Sequence, residues 1–174
     1  LFFWAEVISR YPELISEIPE DATVLLWGYS FNWDFERIQK FTDEGVPVYG
    51  CPGTNSWKSL FPRIHEATAN IHGFAEAARR HGAQGLLTTD WGGGGHYNFT
   101  EYSWHGFLFA AEQSWNPDAD TSTFTERFNR LFLNVDDADC AEAINELGDG
   151  RGHRPDDQRR AGDARRVPAR RTDP

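Results

Sequence analysis

The sequence has no methionine and only two cysteines, Cys51 and Cys140, among its 174 residues. Two cysteines make no disulfide framework, and neither stands at a metal-binding spacing from a pair of histidines. We therefore expect no metal and no cofactor, and we expect Cys51 to behave as a small buried apolar residue. Because no apolar run approaches the roughly 20 residues that span a bilayer, we also expect no membrane partner.

Basic residues are scarce as well. The chain has 17 Lys and Arg against 27 Asp and Glu, which gives a formal net charge of −10. Nucleic acids are bound mainly through clustered positive charge, and an anionic membrane surface repels an acidic protein. The composition therefore argues against a nucleic-acid partner and favours an uncharged substrate.

Aromatic residues, in contrast, are abundant. They make up 14% of the chain and include seven tryptophans. This content is typical of proteins that stack on flat ligands, although for any single tryptophan the filling of core space is the alternative.

The most informative stretch is residues 85–96, with the sequence GLLTTDWGGGGH. Its apolar start predicts a strand buried on both faces, and Asp90 and Trp91 follow where that strand ends. The glycines after them allow the backbone to pass close to a bound molecule. A carboxylate beside an indole suits a sugar, because the acid accepts hydroxyl hydrogen bonds and the ring covers C–H groups.

Apolar runs predict four strands, and three-four spacing of apolar residues predicts the helices between and after them. The strands are residues 1–7, 22–29, 46–51 and 85–89. One helix is predicted to start near residue 34. The clearest helical pattern is a buried apolar stripe that runs from Leu60 and Phe61 to Ala78. After the glycines, one stripe places Trp104 and Trp115 in the core. Thr123 and Glu126 then predict a capping box for a helix with Phe124, Phe128, Leu131 and Phe132 inward. A short helix follows around residues 141–147.

This alternation predicts an α/β fold with parallel strands and right-handed crossovers. Each strand ends in polar and aromatic residues, as at the active face of a (β/α)8 TIM barrel, and the chain has the length of half a barrel. A doubly wound open sheet is the competing architecture, but it concentrates its site at one switch point. We expect a half barrel over residues 1–116, a helical extension over 117–148 and a tail over 149–174.

The tail differs in composition from the rest of the chain. It holds eight of the fifteen arginines among Gly, Pro and Asp, and few apolar residues. Such a segment buries too little surface to offset its chain entropy, so we expect it to be disordered. A reading of a GC-rich gene in the wrong frame would produce the same composition, and a basic nucleic-acid arm is the weaker alternative.

The strand ends resemble the C-terminal half of the catalytic barrel of family 20 glycoside hydrolases, the β-N-acetylhexosaminidases. The resemblance covers about residues 1–115, and four motifs in this order make it. They are FWAEVI at 3–8, LWGY at 26–29, YGCPGTNSW at 49–57, and TDWG at 89–92 followed by GH at 95–96.

This resemblance implies strands five to eight of the barrel and an N-acetylhexosamine-containing glycan as the partner. In that family the acetamido oxygen of the substrate attacks the anomeric carbon, a Glu protonates the leaving oxygen, and an adjacent Asp orients the acetamide. That Asp-Glu pair would lie upstream of Leu1, in a missing N-terminal half of the barrel, so no catalytic residue is expected in this chain. The substrate-binding residues would be Trp4, Glu6, Trp27, Tyr29, Trp57, Asp90 and Trp91.

One departure limits the resemblance: Gly93 stands where the family usually has a carboxylate that holds sugar hydroxyls. No acidic pair within the chain is expected to replace the missing Asp-Glu pair, because those at 43–44 and 136–137 are expected to be solvated surface charges. Two other functions stay open. A non-catalytic sugar-binding protein would explain the missing acid pair, and a phosphate-gripping barrel enzyme would explain the glycines.

Overall fold

Four short parallel strands lie side by side in chain order in a computed structural model, which describes residues 1–92 and 97–149. The strands are β1 (Phe2–Trp4), β2 (Thr23–Trp27), β3 (Val48–Cys51) and β4 (Gly85–Leu86). Their register pairs Trp4 with Leu25 and Trp27 with Cys51. The expected α/β class with parallel strands is thus confirmed.

The connections are helical. Two 3-10 segments, Ile8–Arg10 and Pro12–Glu17, join β1 to β2, and α1 (Arg37–Thr42) joins β2 to β3. The long helix α2 (Ile64–His81) joins β3 to β4 and ends at Gly82, whose φ of 71° suits a residue without a side chain. After β4 come α3 (Trp104–Trp115), α4 (Phe124–Phe128) and α5 (Ala138–Gly148).

The main core lies between the sheet and α1 and α2. Alternate strand residues point to this side, among them Val24, Leu26 and Val48, and they pack with Ile38 of α1 and Phe74 of α2. A second core joins α2 to the later helices and contains Ala67, Ile71, Phe109, Phe124 and Phe128. The helices thus form one layer on the sheet and a further layer outside α2.

The opposite face of the sheet carries the other alternate residues. Phe2, Trp4, Leu25, Trp27 and Tyr49 lie there, with Phe2 packed edge to face on Tyr49 at 6.1 Å. Phe2 and Leu87 are 63% and 43% exposed. Among the described residues, the core helices α1 and α2 pack on the other side of the sheet. The face opposite them, which we call the helix-free face, is apolar and partly open to solvent, although Leu25 on it is buried.

The expectation that β4 is buried on both faces is wrong. Its two residues are only half-buried, and Leu87 after it is exposed. The physical reason is that Gly85 and Leu87 lie on the face that α1 and α2 do not cover, while Leu86 packs against the core, and that β4 is an edge strand of the sheet.

The predicted start of the long helix at Leu60 and Phe61 is also wrong. α2 begins at Ile64, and Leu60 is 81% exposed. Lys58 adopts a left-handed φ of 56° and Pro62 interrupts the run just before the helix. Proline disfavours the helical conformation for the residue that precedes it, which delays the helix.

The stripe assigned to α3 is shifted. Trp104 is exposed and Trp115 is 92% exposed, whereas His105, Phe109 and Gln113 are buried. The buried polar residues have partners elsewhere, since His105 Nε2 lies 3.1 Å from Thr125 Oγ1 and Gln113 Oε1 lies 2.7 Å from a nitrogen of His72. Because of these hydrogen bonds, polar side chains can be buried on the face of α3 that packs against the core.

The next helix is shorter than predicted and lacks the capping box. Thr123 makes no capping hydrogen bond; its hydroxyl instead accepts from Arg127 at 3.4 Å. α4 passes into a π-helical turn, Asn129–Leu133, which leaves Leu131 and Phe132 exposed rather than inward. The predicted short helix after it is confirmed as α5, capped by the Asp137 side chain.

Two expectations hold, one about Cys51 and one about the acidic pairs. Cys51 is fully buried, and burial raises the pKa of its thiol to about 12. The acidic pairs at 43–44 and 136–137 are exposed. Within the described part of the chain, none of the helices combines the length and the apolar composition that crossing a bilayer requires. The tail after Asp149 lies outside the described residues.

Candidate functional site

Five aromatic rings from the ends of all four strands meet at the carboxyl edge of the sheet. We call them the ring cluster: Trp4, Trp27, Tyr29, Trp57 and Trp91. Trp4 lies 5.8 Å from Trp91, Trp27 stacks on Tyr29 at 5.3 Å, and Tyr29 meets the edge of Trp57 at 4.9 Å (ring centroids). All five belong to the residues expected to bind substrate.

Tyr29 and Trp91 join the two parts of this cluster. The indole Nε1–H of Trp91 lies 2.6 Å from the Tyr29 hydroxyl and 3.0 Å from Thr89 Oγ1, so both oxygens can accept from it. Burial raises the pKa of the Tyr29 phenol, and hydrogen bonds with Thr89 and Trp91 partly oppose that shift. The phenol therefore stays neutral at physiological pH.

Trp4 and Trp91 present the most accessible rings. They are 39% and 42% exposed and are inclined to each other by 53°. A sugar between two rings needs a van der Waals contact of about 3.5–4 Å on each side, and a centroid separation of 5.8 Å leaves no room for it. A sugar ring would therefore cover the outer face of one indole instead of entering between the two.

The loop after β3 supports the cluster from below. Residues 52–56 are all buried, and a Cβ on Gly53 would lie 2.5 Å from the Trp57 ring and 2.8 Å from the Tyr29 ring. Only glycine lets both rings approach the backbone this closely. Asn55, with a left-handed φ of 52°, donates its side-chain N–H to the Tyr29 carbonyl at 3.0 Å.

Asp90 is held by the protein itself. Its Oδ1 accepts from the Thr54 hydroxyl at 2.7 Å, and its Oδ2 accepts from the Ser103 hydroxyl at 2.8 Å. Ser103 also lies 2.9 Å from Ser56 Oγ. The carboxylate thus ties the end of the fourth strand to the loop after β3 and to the start of α3. The hydroxyl acceptor expected for a sugar is also an internal anchor.

Glu6 lies apart from these contacts. It follows β1 on an exposed turn, and its carboxylate lies 3.9 Å from Arg10, with more than half of each side chain exposed. An exposed pair of this kind holds a side chain only weakly. Glu6 therefore belongs to the outer rim and not to the ring cluster.

Sequence reasoning missed the polar residues beneath the rings. Asn70 of α2 is fully buried and bonds to backbone at the ends of both β2 and β3. The signal was present, because Asn70 lies within the apolar stripe formed by Ala67, Ile71 and Phe74. A polar residue in such a stripe requires a buried partner. Thr54 and Ser103 had no comparable signal.

Arg63, the charged residue that lies over one of the rings, is paired. Arg63 lies over the Trp57 ring at 5.8 Å, donates to Glu66 at 2.9 Å and donates to the Trp57 carbonyl at 3.0 Å.

Over residues 1–92 and 97–149, His, Cys, Asp and Glu form no group of three that could hold a metal ion. Gly93 and His96, which the motif comparison singled out, lie outside the described residues.

Comparison with known proteins adds no identification. No protein-family model matches the sequence, and no curated protein matches it significantly. The resemblance to the family 20 glycoside hydrolases therefore depends on the strand-end motifs and on the geometry of the residues in them.

Proposed function

We propose that this chain forms the last four strands of a family 20 glycoside hydrolase barrel, and that the ring cluster is its part of a site for a terminal N-acetylhexosamine. The observation that carries the proposal is the convergence of rings from four successive strand ends into one connected group. Indole faces cover the C–H groups of a sugar, and tryptophan is suited to this because it also offers an N–H.

The arrangement of the sheet supports the barrel. A doubly wound sheet reverses its strand order and places helices on both faces. Here the four strands run in chain order, and the core helices α1 and α2 pack on one face. The opposite face is apolar and exposes Phe2 and Leu87, which suits the packed interior of a closed barrel completed by four further strands.

In this proposal the chain supplies binding and orientation, and the acid chemistry comes from elsewhere. The resemblance implies that the substrate acetamide is the nucleophile and that the Asp-Glu pair precedes Leu1. The acidic pairs at 43–44 and 136–137 are exposed surface charges, and Asp90 holds Thr54 and Ser103. We therefore expect the isolated chain to bind the sugar without cleaving it.

A non-catalytic sugar-binding protein of the same fold is the alternative, since the rings alone would bind sugar. Coding sequence upstream of Leu1 distinguishes the two, because an Asp-Glu pair at a strand end favours the hydrolase. A phosphate-gripping enzyme has less support, since Arg63 beside the rings is already paired with Glu66.

Saturation-transfer NMR on the full 174-residue chain tests the proposal. We expect the wild-type chain to give saturation-transfer signals with N-acetylglucosamine or N-acetylgalactosamine. In Trp91→Ala we expect the affinity for the sugar to fall at least tenfold. Trp115→Ala is the matched control, because that ring is exposed and lies outside the cluster. Binding of inorganic phosphate without binding of either sugar would overturn the proposal. Cleavage of an aryl N-acetylglucosaminide by this chain at the rate of an intact enzyme would contradict the placement of the acid pair.

A further inference from the structure

Asn70 is a buried polar side chain with an unusual set of partners. It is fully buried in α2. Its Nδ2 group donates to the carbonyl of Gly28 at 3.1 Å and to the carbonyl of Ser30 at 3.0 Å, while its Oδ1 accepts from the N–H of Gly53 at 3.2 Å. All three partners are backbone groups beyond the ends of β2 and β3.

These backbone groups carry the rings. Gly28 stands between Trp27 and Tyr29 in the chain, and Gly53 is in close contact with the Tyr29 and Trp57 rings. One side chain therefore joins the loops that follow the second and third strands, beyond the last ladder pair of Trp27 with Cys51 and beside the Asn55 bond to the Tyr29 carbonyl. The edge-to-face contact of Tyr29 with Trp57 at 4.9 Å joins the same two loops.

We propose that Asn70 is a positioning residue for the sugar site, which it shapes without touching ligand. The inference rests on the proposed function. Asn70 acts through the two strand ends that it joins, and it fixes the relative orientation of Trp27, Tyr29 and Trp57. An amide suits this position because it offers two donors to two carbonyls and one acceptor to an N–H, with no net charge to bury.

Asn70→Asp is the most selective change. It keeps the size of the side chain and the acceptor for Gly53, and it replaces the donor by an oxygen that faces the carbonyls of Gly28 and Ser30. Asn70→Ser is the second variant, which buries no charge and removes the reach to all three groups. Gln113→Leu is the matched control, because Gln113 is a fully buried helix amide that contacts His72 and not a strand end.

Two readouts separate positioning from general destabilisation. Near-ultraviolet circular dichroism reports without ligand how rigidly the aromatic side chains are held, those of the ring cluster together with others such as Trp33 in the core. Saturation-transfer NMR reports affinity for N-acetylglucosamine. Both are recorded at a temperature at which each variant is folded by far-ultraviolet circular dichroism. We expect the Asn70 variants to lose the part of the near-ultraviolet signal that comes from the ring cluster, and at least tenfold in affinity, and we expect Gln113→Leu to retain both.

The outcomes are distinct. If both folded Asn70 variants keep the wild-type ring spectrum, Asn70 is only a structural residue and the inference is overturned. The same holds if Gln113→Leu loses the ring spectrum equally. If Asn70→Asp does not fold, Asn70→Ser decides. If the wild-type chain binds no sugar, the proposed function fails, yet the ring spectrum still decides whether Asn70 positions the rings.

Discussion

Trp91 and Tyr29 are joined by a 2.6 Å hydrogen bond between the indole nitrogen and the phenolic oxygen, although 62 residues separate them in the chain. β2 and β4 are not neighbours, because β3 lies between them. Two strand spacings amount to about 10 Å, and only large side chains can meet across that distance. The bond therefore links the ends of the second and fourth strands across β3 through two large side chains that each have a polar group.

Tyr29→Phe should weaken the hydrogen bonding within the ring cluster while the rings stay in contact. The substitution removes one acceptor for Trp91 and the hydrogen bond between the phenol and Thr89, and it leaves the Trp91–Thr89 hydrogen bond and the contacts of the ring. We expect the free energy of unfolding to fall by about 1 kcal/mol, measured by urea titration, and the affinity for N-acetylhexosamine to fall with it. Tyr102→Phe is the control, because that ring packs on Phe61 and Phe99 instead. Equal effects of the two changes would count against a special role for the bond.

Asp90→Ala should destabilise the fold. The hydroxyls of Thr54 and Ser103 are each 1% exposed. Thr54 would lose its acceptor in a buried site, and Ser103 would be left with Ser56 Oγ as its acceptor. We expect a loss of about 2–3 kcal/mol in urea titration and a smaller loss in Asp90→Asn, which keeps one acceptor oxygen.

Asp118→Ala is the control for this carboxylate, because Asp118 pairs with Arg79 on the exposed surface, where such pairs contribute less than about 1 kcal/mol. A stable Asp90→Ala protein with weakened sugar binding would mean that Asp90 serves the ligand and not the fold.

His105 should make stability depend on pH. It is buried between the Phe124 and Phe128 rings, and burial lowers its pKa from 6.5 to about 4. Between these values the unfolded chain binds more protons than the folded one, so stability is full above pH 6.5 and falls as the pH falls towards 4. We expect about 2 kcal/mol to be lost between pH 7 and pH 5.

Urea titrations at a series of pH values check this prediction. His105→Phe should flatten the dependence, since an apolar ring suits the site and Thr125 keeps its hydrogen bond to Asn145. His65→Gln, at an exposed position, should leave the wild-type dependence in place. An unchanged slope in His105→Phe would show that another group causes it.

The helix-free face should bind a hydrophobic dye. Phe2 and Leu87 are exposed there beside Tyr49, and contiguous apolar patches of this kind mark surfaces that another element covers. We expect the double variant Phe2→Lys with Leu87→Lys to reduce anilinonaphthalene sulfonate fluorescence several-fold with little change in stability. Trp115→Lys, at a single exposed ring, should have little effect. A larger reduction in Trp115→Lys would place the dye elsewhere.

The strands and α2 were predictable because their signals are local. Apolar runs marked the four strands, and three-four spacing with Gly82 at the end marked most of α2. The shift of the α3 stripe was not predictable from hydrophobicity, because His105 and Gln113 are buried through partners distant in sequence. The open face of the sheet was missed for a related reason, since a strand pattern does not tell what covers it.

The rings of the candidate site could be predicted from their positions at strand ends, because parallel strands bring those ends to one edge. Their supporting contacts could not. The bonds of Asp90 to Thr54 and Ser103 join three separate segments, and no spacing in the sequence encodes them. The contacts of Asn70 are an exception, since a polar residue within an apolar helical stripe indicates that its side chain has a buried hydrogen-bond partner.

Cys51 offers a way to time the opening of this region. Its thiol is buried in the last residue of β3, and its pKa of about 12 leaves very little thiolate at neutral pH. A cysteine thiolate attacks an alkylating reagent and displaces its leaving group, so Cys51 can be modified only when the strand end separates from its neighbours. Cys140 is partly exposed and should react first. The slow second phase of labelling would then report the rate at which the end of β3 opens in the native protein, without any engineered probe.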